Sequence, residues 1–423
     1  MKSLLDKINA KLNAQGGFFK AVSVLVGGTA FAQLIGFICL PILTRLYTPE
    51  DYSVLGVYVA IVSILSVIAC LRLEIAIPIP ENDSEAKDLF LLSFIINIIF
   101  VFVLYLLLIT LYSFLKEFYI VQQLSIWIWF IPLGILLSGS YSTLQYWSTR
   151  KKRFKDIAKT RITQSISGNS ASLIVGVTTG GLGGLIVGQI FSFGGGFVRL
   201  SSSAYKDLKS IKDKVSLKNT LYKYRDFPKY STFEALANIS ALQLPLIIIA
   251  SFFIGPEVGY LMLAMKVLGI PMGLIGGAMS QAYLAHAPDF YKSGQLYGYT
   301  VSILIKIFKL VVIPFIILAL ISPYIFTFVF GEKWSGLGDY ILMMIPWYFM
   351  QILSSPVSMA LHIVGKQKLA LILQFFGFLL RVIILLGVLF LARDFAVNYY
   401  IFSGFIFYVI YMVFILFSIR QRT

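Results

Sequence analysis

The sequence predicts an all-α polytopic membrane protein with about 12 transmembrane helices in two six-helix lobes, and three observations favour this fold class. The chain of 423 residues is 58% hydrophobic and only 13% charged, with a mean hydropathy of +0.86, whereas soluble domains carry about 25% charged residues. Its apolar residues come in runs of roughly 20, long enough to cross a hydrocarbon core of about 30 Å as helices. Its basic residues are distributed unevenly between those runs. A β-barrel would instead show short segments of alternating hydrophobicity.

Twelve candidate spans can be delimited from the apolar runs. In the first half they are residues 21–44, 52–71, 88–112, 122–147, 157–178 and 182–203, and in the second half residues 232–254, 257–281, 301–328, 339–363, 367–391 and 396–418. An even number of spans places both termini on the same side of the membrane.

The basic residues predict that both termini are cytoplasmic. With that orientation, the outer loops hold only Arg45, Lys116, Lys333 and Arg393 of the 35 lysines and arginines. The densest inner cluster is RKKRFKDIAKTR, residues 150–161. This asymmetry follows the positive-inside rule. It accounts for the formal net charge of +16 without a nucleic-acid partner, although binding of anionic lipid head groups stays open.

Four boundaries divide the chain into the predicted domains. Residues 1–20 are predicted to form an amphipathic cytoplasmic helix, because leucines and isoleucines recur at helical spacing between lysines. Residues 21–203 form an N-terminal six-helix lobe, and residues 204–230 a charged, partly helical cytoplasmic linker. Residues 231–419 form a C-terminal six-helix lobe, followed by a short cytoplasmic tail at 420–423.

The two halves are interpreted as parallel repeats. Pro49-Glu50 follows the first span, and Pro256-Glu257 follows the seventh. The core of the fourth span of each half opens on an Ile-Pro pair, at Ile131 and Ile345. Because both halves have six spans, they run in the same direction, which is the arrangement of parallel-repeat transporters.

The stretch TRLYTPEDYSVLGVY, residues 44–58, predicts a tight outer turn that starts the second span. Thr48 is the expected N-cap, with Pro49 at the first helical position. Glu50 and Asp51 meet the positive end of the helix dipole, and Asp51 can close a capping box with Thr48. The tyrosines at 47, 52 and 58 are expected to anchor the stretch at the membrane interface.

Residues 27–80 also resemble the start of Wzx-type polysaccharide flippases of the MOP (MATE-like) transporter superfamily. The motifs that carry the resemblance are RLYTPEDY (45–52) and LRLEIAIPIP (71–80). Ser53 is a small departure from the expected pattern. Span number, orientation and paired halves extend the resemblance over nearly the whole chain.

The resemblance implies two six-helix lobes in a V around a central cavity, in a bacterial inner membrane. It implies alternating access and export of O-antigen-like polysaccharide units, with undecaprenyl-pyrophosphate-linked oligosaccharide as substrate and membrane lipid around it. The resemblance leaves open whether the protein has polysaccharide polymerase machinery as a partner. It also leaves open whether transport is coupled to a cation, H⁺ or Na⁺. It implies no cofactor.

Charged side chains within the spans are the candidate substrate-binding groups, because such charges are costly in a membrane. Lys266 lies about 14 Å and Arg381 about 21 Å from the start of their helices at 1.5 Å per residue. Fixed cations can replace the water and counterions around a pyrophosphate. Lys266 and Arg381 could instead form hydrogen bonds to backbone carbonyls at a helix break. Lys306 is a third candidate cation, for which snorkelling to the interface is the alternative.

Charges near the span ends complete the set of candidates. Arg45 works against the topology bias in an outer turn, and Arg72 could meet the phosphates at the inner mouth. Glu74 is expected to brace a neighbouring element or contact the substrate. Thr48, Pro49, Glu50 and Asp51 are expected to be structural or gating residues.

Other function classes are less well supported by the sequence. A cation-coupled multidrug antiporter of the MATE type is the main alternative. Such a transporter of cationic compounds is expected to have acidic residues in its cavity, whereas this chain offers basic ones. A polysaccharide polymerase or ligase would need a large outer loop, and a scaffold would not need deep charges. The chain has no GxxxxGK[ST] motif for ATP. Two cysteines and two histidines, all far apart, predict no catalytic or metal site.

Overall fold

The computed structural model describes residues 17–211, 216–253 and 255–420. The predicted helix at 1–20 lies outside these residues except for its last four, and the predicted tail at 420–423 lies outside them except for Arg420. Over the described ranges the chain is helical and contains no β-strand, which confirms the all-α fold class.

The helices of the first half vary widely in length. They are α1 (Gly17–Leu46), α2 (Pro49–Ala69), α3 (Asp83–Leu115), α4 (Tyr119–Leu124), α5 (Ile131–Arg150), α6 (Phe154–Thr179), α7 (Gly183–Gly194), α8 (Phe197–Ser210) and α9 (Leu217–Lys223). Short 3₁₀ helices at Leu73–Ala76 and Ser125–Phe130 connect some of them, and a π-helical segment at Phe227–Ser231 leads into the second half. The predicted linker at 204–230 is therefore partly helical where it is described.

The second half continues the same pattern. Its helices are α10 (Thr232–Phe252), α11 (Glu257–Pro271), α12 (Gly277–Lys292), α13 (Leu296–Phe330), α14 (Leu337–Val357), α15 (Ala360–Ile363), α16 (Gln367–Leu391) and α17 (Ala396–Arg420). A π-helical turn at Met272–Gly276 joins α11 to α12. Pro271 is the residue before this turn, and a proline that removes a backbone hydrogen bond is a recognised cause of such irregularities.

Ten helical segments of the described chain are long and apolar enough to cross a membrane, so the protein is a multi-pass membrane protein. Two of the twelve predicted spans are not among the ten. Span 157–178 lies in α6, which is 26 residues long but rich in Ser, Thr and charged residues. Span 257–281 is divided between α11 and α12 by the π-helical turn. The number twelve stays a prediction.

The described chain separates into two compact units. The first contains the chain up to Leu46 and Ile61–Leu236, and the second contains Tyr47–Ala60 together with the chain from Ala237 onward. The part of α2 up to Ala60 therefore belongs to the second unit, although it lies in the first half of the sequence.

Small residues and polar contacts hold the first unit together. Helix α6 packs against α1 and α7, and the contact with α7 is so close that a Cβ on Gly188 would come 1.8 Å from the Ser172 hydroxyl. Glycine at this position lets the two helices approach so closely, as small residues do at helix interfaces in membranes. The predicted span 182–203 is broken at Gly195 and Gly196, where α7 ends and α8 begins.

Salt bridges fix the loops at one end of the first unit. Asp83 at the start of α3 pairs with Lys151 at 2.6 Å and Arg150 at 2.9 Å. Asp207 of α8 pairs with Arg153 at 2.7 Å and accepts a hydrogen bond from the Trp147 indole at 3.0 Å. The basic cluster at 150–161 thus has structural partners for part of its charge.

Candidate functional site

The N-terminal end of α2, called its outer end after the topology that the basic residues predict, has the predicted helix start. The backbone N–H of Thr48 donates to Asp51 Oδ2 at 2.9 Å, and the N–H of Asp51 donates to Thr48 Oγ1 at 3.3 Å. The helix begins at Pro49, whose side chain is buried. The reciprocal bonds confirm the capping box. Glu50 is exposed and lies close enough to Tyr260 to act on it electrostatically.

Within the second unit, this helix start packs against the start of α11. The N–H of Gly259 donates to the Ser53 hydroxyl at 2.8 Å, and that hydroxyl donates to the Pro49 carbonyl at 3.1 Å. A Cβ on Gly259 would come 1.9 Å from the Pro49 oxygen, so no side chain fits there without movement. The two Pro-Glu pairs noted as a repeat therefore mark two helix starts that touch. Ser53, the departure from the family pattern, supplies the hydrogen bond.

The expectation that the tyrosines of this stretch are interface anchors is wrong. Tyr47, Tyr52 and Tyr58 are at most 1% exposed. The Trp334 indole donates to the Tyr47 carbonyl at 3.4 Å and lies edge-on to the Tyr52 ring, with centroids 5.1 Å apart. Trp334, distant in sequence, thus packs on this stretch at Tyr52, and the three buried rings form part of the core of the second unit.

The chain after the C-terminal end of α2, called the inner end after the same predicted topology, has an unusual backbone. Leu71 and Arg72 both have left-handed conformations, with φ of 49° and 58°. For residues with a Cβ this region costs about 1–2 kcal/mol each. The turn carries the candidate residues Arg72 and Glu74 into a 3₁₀ helix, and such strain is concentrated at functional sites in proteins generally.

The Arg72–Glu74 ion pair in this turn is incomplete. Arg72 Nη1 lies 3.8 Å from Glu74 Oε1. Glu74 is 4% exposed, and neither its Oε2 nor the Nε of Arg72 has a hydrogen-bond partner among the described residues. Burial raises the pKa of the Glu74 carboxyl above its ordinary value, although a backbone hydrogen bond and Arg72 act in the opposite direction. The carboxyl is therefore a group that can bind a proton.

Arg381 lies in an aromatic cage inside the second unit. Its guanidinium carbon is 5.3 Å from the Trp347 ring centroid, 5.0 Å from that of Phe407 and 5.8 Å from that of Tyr408. The residue is only 3% exposed. Among the described residues no carboxylate forms a salt bridge with it, and its Nε and Nη2 have no hydrogen-bond partner. Cation–π attraction thus provides much of its stabilisation.

Three further candidate cations are exposed, unlike Arg381. Lys266 of α11 and Lys306 of α13 have exposed side chains. Arg45 is exposed in the last turn of α1, where a cation also favours the negative end of the helix dipole. The structure thus places the other predicted site residues in the capped outer turn, the strained inner turn and the aromatic cage, and these three cations at exposed helix positions.

Sequence reasoning missed Gly259, Trp334 and the three cage aromatics. The repeated Pro-Glu pair was a usable signal for Gly259, which lies two residues after the second pair. Nothing local marks Trp334 as the cover of Tyr47, since the two are far apart in the sequence.

Comparison with known proteins identifies the family. A family model described as polysaccharide biosynthesis protein matches residues 42–338, more than half of the chain. The chain belongs to this family. No curated protein matches the chain by sequence.

Solved structures show that this polysaccharide biosynthesis protein has the fold of the MOP superfamily. The lipid II flippase MurJ in an inward closed conformation has a TM-score of 0.68 at 16% identity, covering 94% of this chain and 87% of its own. A MOP superfamily transporter from Pyrococcus furiosus has a TM-score of 0.60 at 12% identity, covering 95% and 98%. An outward-facing multidrug resistance transporter of the MATE family has a TM-score of 0.58 at 12% identity, covering 95% of this chain and 98% of its own.

Proposed function

We propose that this protein is a flippase that moves undecaprenyl-pyrophosphate-linked oligosaccharide from the cytoplasmic to the outer leaflet of a bacterial inner membrane by alternating access. The observation that carries the proposal is the family match over residues 42–338 on a chain with a flippase-like fold. The family is described as one of polysaccharide biosynthesis, and the fold is shared by a protein described as a lipid II flippase. Both termini are cytoplasmic in this proposal, as the distribution of basic residues predicts.

The chemistry of Arg381 supports an anionic rather than a cationic substrate. Two nitrogen atoms of its guanidinium, Nε and Nη2, have no hydrogen-bond partner in the described structure, and no described carboxylate forms a salt bridge with it. Buried donors of this kind favour an anion when the surrounding helices move. Lys266, Arg45, Arg72 and Lys306 are proposed as further cations on the substrate's route.

The alternative is a cation-coupled multidrug antiporter, because the chain shares its fold with MATE transporters. Glu74 is the observation that favours a coupled ion in either function, because it is a buried carboxyl with a raised pKa. Proton binding there would neutralise it and weaken its hold on Arg72.

Deletion of the gene in its host tests the proposal. We expect loss of surface polysaccharide together with accumulation of lipid-linked units in the inner leaflet, because the polymerising side receives no substrate. Normal polysaccharide with increased drug sensitivity would instead establish the antiporter.

Complementation with point variants tests the site. Arg381→Lys keeps a positive charge but loses the planar group that stacks on the aromatic cage, so export should fall at least tenfold. Lys266→Ala should also reduce export while membrane insertion stays normal. Lys309→Ala, an exposed lysine on α13, is the matched control and should complement fully. Full export by both Arg381→Lys and Lys266→Ala would remove these residues from the proposed substrate route.

A further inference from the structure

A small aromatic pocket lies at the turn between α12 and α13, within the second unit. It has a volume of about 400 Å³ and is lined by Phe290, Gln295, Tyr297, Gly298 and Tyr299. This volume is within the range of about 300–1,000 Å³ typical of small-molecule sites. None of these five lining residues is charged, and none is among the candidate cations of the proposed substrate route.

Two of the three rings of the pocket are held by stacking. Phe290 and Tyr299 stack with centroids 4.2 Å apart and an interplanar angle of 8°. Tyr283, which is fully buried, stacks behind Tyr299 at 5.6 Å, and its hydroxyl lies 2.8 Å from that of Thr300. A preorganised aromatic surface loses little conformational entropy when a ligand binds.

The length of α13 places the pocket beyond the hydrocarbon core. The helix has 35 residues and is therefore about 52 Å long, well above a core thickness of about 30 Å. Lys306 and Lys309 are exposed, and the 21 residues from Leu310 to Phe330 that follow are apolar enough to cross alone. The first turn of α13 then lies about 15 Å beyond Lys309. The positive-inside rule assigns that end to the cytoplasm.

The chemistry of the lining fits a sugar ring. An aromatic face packs against the apolar C–H face of a pyranose, while phenol hydroxyls and a primary amide can donate to and accept from its hydroxyls. Gln295 is exposed and precedes the first turn of α13, where its side chain makes no capping hydrogen bond. An acyl chain would not reach a pocket outside the core, and an uncharged lining does not favour a phosphate.

We infer that this aromatic pocket binds a sugar unit of the lipid-linked oligosaccharide at the cytoplasmic face, before the head group is moved. The inference rests on the proposed function for the identity of the glycan. With the lipid in the inner leaflet, its oligosaccharide projects into the cytoplasm, and a pocket beyond the head groups is in reach of the sugars.

Gly298 offers a variant that fills the pocket without disturbing the fold. A Cβ at this position would meet no other atom within 4 Å, and leucine is a better helix former than glycine. Gly298→Leu should therefore occupy the pocket and leave thermal stability equal or higher. Gly387→Leu is the matched control, because Gly387 is also an exposed helical glycine at which an added Cβ would meet no other atom within 4 Å.

The experiment measures glycan binding by the full chain in lipid nanodiscs. The probes are an array of lipid-free oligosaccharide fragments of bacterial surface polysaccharides and, separately, undecaprenyl phosphate without sugar. The wild type and Gly387→Leu should bind at least one fragment, and Gly298→Leu and Tyr297→Ala should bind it at least tenfold more weakly. Tyr297→Phe, which keeps the ring, should retain more binding than Tyr297→Ala. Binding of undecaprenyl phosphate should be the same for all variants.

Three outcomes would overturn the inference: no fragment bound by the wild type, equal binding by Gly298→Leu, or loss confined to undecaprenyl phosphate. The result is separable from that of the deletion experiment. If polysaccharide export depends on the protein but the pocket variants bind glycan normally, the pocket assignment fails and the proposed flippase stands. If the pocket binds glycan but export does not need the protein, the pocket assignment stands and the proposed flippase fails.

Discussion

The two ends of α2 differ in how well their local interactions are satisfied. At the outer end, the capping box of Thr48 and Asp51 pairs the first backbone groups, and Ser53 links the helix start to Gly259. The buried hydroxyl of Tyr52 is without a hydrogen-bond partner there, but it is neutral. At the inner end, the unpartnered atoms belong to the charged side chains of Arg72 and Glu74, next to a left-handed backbone.

The outer end is thus a tightly packed contact, whereas the inner end is a strained turn with buried charged groups. Natural sequences satisfy local rules over most of their length and depart from them mainly at functional or strained sites. We therefore expect changes at the outer end to act through packing, and changes at the inner end to act through charge, pH and backbone conformation.

The largest effect is expected from Gly259→Leu at the outer end. The new Cβ would clash with the Pro49 carbonyl, so the two helix starts must separate and the bond to Ser53 is lost. Overpacking of this kind costs about 3 kcal/mol, and export should fall with it. Thermal unfolding of the purified protein and complementation of export measure the two effects.

Gly269→Leu is the control for this substitution. It lies on the same helix, and a Cβ there would meet no other atom within 4 Å. Its stability and export should match those of the wild type. If Gly259→Leu behaves like Gly269→Leu, the outer contact is not a tight one.

A smaller, pH-dependent effect is expected from Glu74→Gln at the inner end. Because burial raises the pKa of Glu74 in the folded protein, the folded state binds this proton more tightly than the unfolded state. Stability contributed by the group is complete below the ordinary pKa of about 4.5 and is lost as the pH rises through the raised value. Glutamine stays neutral, so the variant should unfold about 2–5 °C higher than the wild type at pH 8 and at the same temperature near pH 4.

Thermal unfolding across this pH range distinguishes charge from shape. Glu81→Gln, an exposed carboxyl nearby in the sequence, should show no such pH-dependent difference. A constant difference between Glu74→Gln and wild type at every pH would show that the effect is steric.

The parts of this comparison that sequence predicted are the local ones. The helix start at Thr48–Asp51 follows from residues three apart, and its geometry is independent of the rest of the chain. The position of Arg381 in the middle of α16 was also accessible, because counting along a helix gives it directly. The aromatic cage around Arg381 could not be predicted, because its rings come from α14 and α17. In an apolar span, the sequence does not identify which neighbouring helix an aromatic ring contacts.

Lys266 shows why burial is hard to predict in such spans. Its position along α11 predicts depth in the membrane, which does not determine burial in the protein, and its side chain is exposed. In a soluble helix the alternation of polar and apolar residues indicates the buried face, but a membrane span is apolar on all sides. The break at Gly195 and Gly196 was missed for a similar reason: average hydropathy is insensitive to a change in helix direction.

The smallest effect isolates the backbone of the inner turn. Arg72→Gly and Arg72→Ala both remove the guanidinium, and therefore the partner of Glu74, but only alanine keeps a Cβ at φ 58°. Glycine adopts this conformation without steric cost, so Arg72→Gly should be more stable than Arg72→Ala by about 1 kcal/mol. In an ordinary helix the order is reversed, and glycine is less stable than alanine by a similar amount. The same pair of substitutions at Ser63, inside α2, provides that reference, and denaturant unfolding measures both differences. A preference for alanine at both positions would mean that the inner turn is not left-handed and that its strain is absent.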